Sequence, residues 1–310
     1  TLDNNFGATL KGTDSFSSGV YNQDTITSLS NAGTLQGTGS TESSGIYNLG
    51  TITTITNSGN LASTGTGTGS IKKAGIYNAD NATVTTITNA GNIDGTGSYT
   101  SGIHNLNLGT IGTITNSGNL RGTGSTDSSG IYNLGNIGTI TNSGRITSDN
   151  NYGIYNSGNI GTITQNSLSG TISSTNSHAI LNKGTITKLE NSLTISSGAS
   201  FFDINNTGTI TNLYNSQGFA GASSDPLTLT GNLPTNYFVT INSTTNYGQL
   251  SVTSGVGNIN FGITEGSVIG VPAINYTSYS SATLNQAAST PYKIEAIGTD
   301  ITVIADNDWT

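Results

Sequence analysis

Cysteine does not occur in the 310 residues. Its absence excludes disulfides, thiolate metal sites and cysteine nucleophiles. Charge is scarce: charged residues make up 8% of the chain, only eight are basic, and the net charge is −8. Nucleic acids need a basic stripe to neutralise phosphates, and anionic membrane surfaces need similar charge. The expectation is therefore no nucleic-acid partner. No membrane insertion by this segment is expected either, because no apolar run is long enough for a spanning helix. Proline occurs four times, always at or beyond Pro226. No signal peptide and no initiator Met open the sequence, which reads as a mature or excised chain.

Gly, Ser, Thr and Asn dominate what remains, a composition that would ordinarily mean disorder. A repeat argues otherwise. Gly-Ile-Tyr-Asn stands at 45–48, 75–78, 130–133 and 153–156, with variants at 19–22, 102–105, 179–182 and 203–206. The copies recur at a step of similar size along the whole stretch. Such a period marks a solenoid, in which each repeat buries its apolar face on its neighbours.

In Gly45 to Leu61, three short β-like pieces rich in β-branched residues are separated by Gly or Asn-Ser-Gly. No piece has the helical apolar period. The expected fold is all-β, a parallel β-solenoid of about eight coils. Ile46, Ile52, Ile55 and Leu61 should point inward, since their equivalents in other coils are nearly all aliphatic. The expected organisation is a repeat domain over 1–218 and a C-terminal β cap over 219–310.

Two asparagine columns accompany the core. The first is Asn22, Asn48, Asn78, Asn105, Asn133, Asn156, Asn182 and Asn206. The second is Asn31, Asn57, Asn89, Asn116, Asn142, Asn166, Asn191 and Asn215. Asparagine at a corner tolerates the left-handed conformation, and stacked amides bond one another, so both columns should be structural. Length varies between the Leu61-type residue and the next Gly, as in Ala62 to Ala74, which puts loops on one edge.

Outward positions carry two further ladders. Tyr21, Tyr47, Tyr77, Tyr132 and Tyr155, with His104 among them, form a candidate aromatic surface strip for a glycan or partner. Thr-Ile-Thr recurs at 54–56, 86–88, 113–115, 139–141 and 162–164. That grid resembles the ice-binding face of Thr-x-Thr solenoids.

Catalytic chemistry has no foothold in the sequence. The acidic residues are scattered, and Asp306 and Asp308 lie at the end of the chain. His104 and His178 read as isolated surface histidines. No calcium repeat and no Ser/His/Asp constellation occurs. The reading is a non-enzyme with no cofactor and no metal site.

After Asn215 the repeat fades into longer runs, among them 237–241, 249–252 and 301–304, that point to wider strands and hairpins. Tyr247-Gly248-Gln249-Leu250-Ser251-Val252, Phe261-Gly262 and Asp300-Ile301-Thr302-Val303-Ile304 together resemble the C-terminal end of bacterial autotransporter passengers. The tail motif covers the stretch from Tyr247 to Ile304, and the Asn-Ser-Gly repeats resemble other passengers less specifically. It implies a secreted β-helical passenger, an autochaperone-like terminal segment and a β-barrel translocator. The chain departs from the family pattern in carrying no barrel. Either cleavage near Asp306 to Trp309 or a sequence that stops there accounts for this. Residues 5–13 resemble 31–38, so the chain starts partway through a coil with no dedicated cap.

Four functions fit these features. The first is a secreted, cell-surface structural or adhesive rod with self-association, cell-surface or glycan partners. The second is a subunit of an extracellular filament stacked through open solenoid edges. The third is an ice-binding solenoid, and the fourth a polysaccharide-active β-helix enzyme.

Overall fold

The computed structural model describes residues 1–14, 17–40, 43–65, 73–124, 128–165, 170–218, 225–243, 246–264, 282–286, 292–297 and 300–305. The described residues form a parallel β-solenoid of about nine turns with no helix, close to the eight coils expected.

Each coil places a strand on three faces. A threonine sheet takes seven-residue strands such as Thr110–Asn116. A short sheet takes four-residue strands such as Asn119–Gly122. A tyrosine sheet takes strands such as Ile131–Asn133. In the repeat coils these strands pair in parallel with their equivalents one coil away, residue for residue. Thr113, Ile114 and Thr115 face Thr139, Ile140 and Thr141, and Ile103 faces Ile131. Identical side chains therefore stack at the ~4.8 Å strand spacing.

The core is one column of aliphatic layers. Ile46, Ile52, Ile55 and Leu61 are all fully buried, as are their equivalents Ile103, Ile111, Ile114 and Leu120. Burying one such side chain contributes roughly 1.5–3 kcal/mol, and each coil supplies about four.

Glycine fixes the corners by what it omits. A Cβ on Gly118 would lie 2.1 Å from the carbonyl oxygen of Gly91, and one on Gly144 would lie 2.1 Å from that of Gly118. The stacked backbone leaves no room for a side chain there. The Gly of Gly-Ile-Tyr-Asn has a related reason. A Cβ on Gly45 would lie 2.7 Å from the Gly75 carbonyl and 2.8 Å from the Ala62 amide nitrogen, where the tyrosine and short sheets meet.

The parallel register does not stop at residue 218. Leu227–Asn232 extends the tyrosine sheet from Ile204–Asn206, and Asn236–Val239 extends the threonine sheet from Thr209–Asn215. The 14-residue strand Leu250–Ile263 then continues both sheets at once. Among the described residues the short sheet ends earlier, with Thr194–Ser196 as its last strand. Buried Tyr237 and Phe261 fill the core there, edge to face at 6.1 Å. Ala282–Gln286 pairs antiparallel with Leu250–Ile263 and breaks the parallel stacking. Tyr292–Ile297 and Asp300–Ala305 form an antiparallel hairpin, as the alternating runs predicted. At the other end, Leu2–Asn4, Thr9–Gly12 and Val20–Asn22 each pair with one neighbouring strand.

Candidate functional site

Both asparagine columns form continuous amide ladders in the interior. In the first, the Nδ2 of Asn22, Asn48, Asn78, Asn105, Asn133, Asn156 and Asn182 each donates to the Oδ1 of the next member at 2.7–2.9 Å, ending on Asn206. Each nitrogen also faces carbonyl oxygens. Asn133 Nδ2 donates to Gly135 O at 3.1 Å and to Asn159 O at 3.3 Å. Those carbonyls dictate which amide atom is nitrogen, so every dipole in the column points the same way. None of the described ladder asparagines uses the left-handed conformation a corner asparagine tolerates: among described residues only Asn81, Tyr99 and Ser254 are non-glycine with positive φ. The amides bond across the corner from extended backbone instead.

The second ladder starts one coil earlier, at Asn4, and runs through Asn31, Asn57, Asn89 and Asn116 to Asn142 at 2.7–2.8 Å. There the register brings Gln165, not Asn166, opposite Asn142; Asn166 lies outside the described residues. The longer Gln165 side chain reaches past the ladder to the carbonyls of Gly170 and Thr194. Asn191 resumes the column with bonds to Asn215 and Gln217. Asn215 closes it by donating to the Tyr237 hydroxyl at 3.2 Å.

The aromatic column is stacked as expected, but it is not a surface strip along its length. Neighbouring rings from Tyr21 through Tyr47, Tyr77, His104 and Tyr132 to Tyr155 have centroids 4.4–5.3 Å apart. Tyr21 is 56% exposed, whereas Tyr47, Tyr77 and His104 are 4%, 1% and 1% exposed. The cause is local. In most coils two residues follow the ladder Asn, but Ala79 to Ala82 and Leu106 to Gly109 make four-residue corners. Ala74, Ala79 and Ala82 pack on Tyr47 and Tyr77, with Leu106 beside them.

His104 is thus a buried histidine rather than a surface one. Burial lowers its pKa to about 3, and its Nε2 has no hydrogen-bond partner. His178 is half-buried; its Nδ1 accepts from the Phe202 amide at 3.0 Å and its Nε2 lies 3.2 Å from Asn205 Nδ2. Asp203 is buried and fully engaged, accepting from the amides of Ser197 and Thr228 and from the Thr228 hydroxyl at 2.8–2.9 Å. Desolvation raises its pKa. These contacts make Asp203 a loop staple.

The threonine grid is in register. Thr54, Thr86, Thr113, Thr139 and Thr162 form one file, and Thr56, Thr88, Thr115, Thr141 and Thr164 another. All ten are intermediate or exposed. The grid ends where Lys188 and Glu190 replace threonine in both files.

One concave surface lies on the outer side of the short sheet. It encloses about 420 Å³ between Asn92, Asp94, Asn119, Arg121, Arg145, Thr147, Ser148, Asp149, Ser173 and Thr175. Arg121 and Arg145 are the only arginines in the sequence. Arg121 donates to both Asp149 oxygens at 2.9 and 3.3 Å. Desolvation raises the Asp94 pKa, against a lowering pull from Arg121. Sequence reasoning passed over this cluster because its charges lie far apart in the chain. The signal was that the two arginines stand close to one repeat apart.

Among the described residues no three His, Cys, Asp or Glu side chains gather as metal ligands, and no helix is long and apolar enough to cross a membrane. Asp306 and Asp308 lie outside the described residues. No family model, no curated protein and no solved structure matches the chain.

Proposed function

We propose that the chain is a non-enzymatic extracellular rod, a passenger-like structural and adhesive element of a bacterial cell surface. The observation that carries this reading is how variation is distributed over the coil. Inward and corner positions repeat Ile, Asn and Gly from coil to coil. The file of the short sheet opposite the core changes instead: Gln36, a buried Ala62, then Asp94, Arg121, Thr147 and Ser173. A constant frame with a changing face suits a scaffold that presents contacts. The terminal resemblance to autotransporter passengers supports the location. Displaying the chain on a non-adherent bacterium through an outer-membrane β-barrel tests the reading. Attachment or cell aggregation above that of the bare barrel is expected; equal attachment and aggregation overturn it.

A second reading rests on the in-register threonine files. Two files over five coils are the repetitive hydroxyl array that an ice lattice would match. Thermal hysteresis at micromolar protein, abolished by Thr115→Lys, is expected on this reading. Unaltered ice growth removes it.

A further inference from the structure

We infer that the groove on the short sheet binds an oligosaccharide bearing carboxylates, with Arg145 holding a carboxylate. The inference rests on the adhesive reading of the rod and names its ligand.

Hydroxyl-rich chemistry comes from the lining. Among the described residues no aliphatic or aromatic side chain borders the groove; its lining is Asn, Asp, Arg, Ser and Thr. Planar amide, carboxylate and guanidinium groups pair with neighbouring hydroxyls two at a time. The lining residues come from four consecutive coils, so the groove runs about 14 Å along the rod at the strand spacing. An extended sugar chain fits that direction, with units about as long as one coil step.

The carboxylate follows from Arg145. Its side chain is exposed and, among the described residues, makes no hydrogen bond or ion pair, whereas Arg121 is held by Asp149. An open guanidinium fork is a bidentate carboxylate partner. Asp94 and Asp149 in the same wall can accept from sugar hydroxyls. A peptide strand has no edge to join here, because the strands of Asn92, Asn119 and Arg145 are paired on both sides.

The test titrates the folded protein with hexagalacturonate, its fully methyl-esterified form, and Arg145→Ala protein. Wild type should bind the acid hexamer, more weakly as salt rises. Affinity should fall at least tenfold for the ester and at least tenfold for Arg145→Ala. Chemical-shift changes should gather at Asn92, Asn119 and Thr147. No binding by wild type, equal affinity for the ester, or equal affinity in the variant overturns the assignment. Circular dichroism of Arg145→Ala should match wild type, since the side chain is exposed. Displayed rods that adhere equally with Arg145→Ala sink the groove as the adhesive site and spare the adhesive reading. Hexamer binding by rods that never adhere does the reverse.

Discussion

At the scale of single residues, the interior asparagines hold the coils in register. Asn105 bonds Asn78 on one side and Asn133 on the other, at 2.8 and 2.9 Å. Asn105→Ala leaves buried amide and carbonyl groups without partners, at about 1–3 kcal/mol. The Asn119 to Asn92 bond has the same 2.8 Å length but lies in solvent, so Asn119→Ala should cost less than about 0.5 kcal/mol. Chemical denaturation of the two variants checks the difference, and equal losses would show that the buried ladder holds nothing. His104 sets the acid response. Its folded pKa of about 3 lies below the ordinary 6.5. The unfolded chain therefore binds the proton first, and stability falls as pH drops from about 6.5 toward 3. The loss over that window is on the order of 5 kcal/mol at 1.36 kcal/mol per pKa unit. His104→Tyr restores the residue found in the neighbouring coils and should flatten the dependence. Thermal melts from pH 7 to 4 decide this, and parallel curves for both proteins contradict it. Sequence marked the column but not its burial, because the cover comes from two extra corner residues in each of two coils.

At the scale of the element, the corner and the strand end set the coil. Gly118→Ala places a methyl 2.1 Å from a backbone carbonyl that cannot move without its own neighbours. A cost of about 1–3 kcal/mol is expected, as for overpacking a core. Gly112→Ala, whose methyl would lie 2.5 Å from the Thr85 carbonyl, should also destabilise, though the site is on the outer face and has more freedom to give. Melting temperatures of the two variants provide the comparison, and a Gly118→Ala protein as stable as wild type contradicts the account. These corners were legible in sequence as Asn-x-Gly, but their reason was not. Sequence marks them only as breaks between strands, whereas the structure assigns glycine to the close approach of stacked corners. Gln165 shows a similar limit: spacing alone chose Asn166, and only strand register shows which side chain faces the ladder.

At the scale of the whole molecule, stability is a sum of coils and their interfaces. Removing residues 103–130 joins Gly102 to Ile131, which occupies the position of Ile103. The shortened chain should remain folded and monodisperse, with a lower denaturant slope in proportion to the buried surface lost. Collapse or aggregation of that protein would contradict nearest-neighbour stacking. The period, the inward aliphatic positions and the terminal hairpin were legible because they repeat or alternate. The run of parallel coils past residue 218 was not, because Tyr237 and Phe261 replace aliphatic residues in the core and hide the period. The groove was hidden for a different reason: its charges become neighbours only when coils stack. The most direct test of that stacking is a distance along the rod. The chain has no cysteine, so Thr54→Cys and Asn212→Cys accept spin labels at two defined sites. Those positions lie in one file, six coil steps apart, through Thr86, Thr113, Thr139, Thr162 and Lys188. Pulsed electron resonance should give one narrow backbone separation of about 29 Å at the strand spacing. A broad distribution, or a separation not set by six such steps, would contradict the stacked rod.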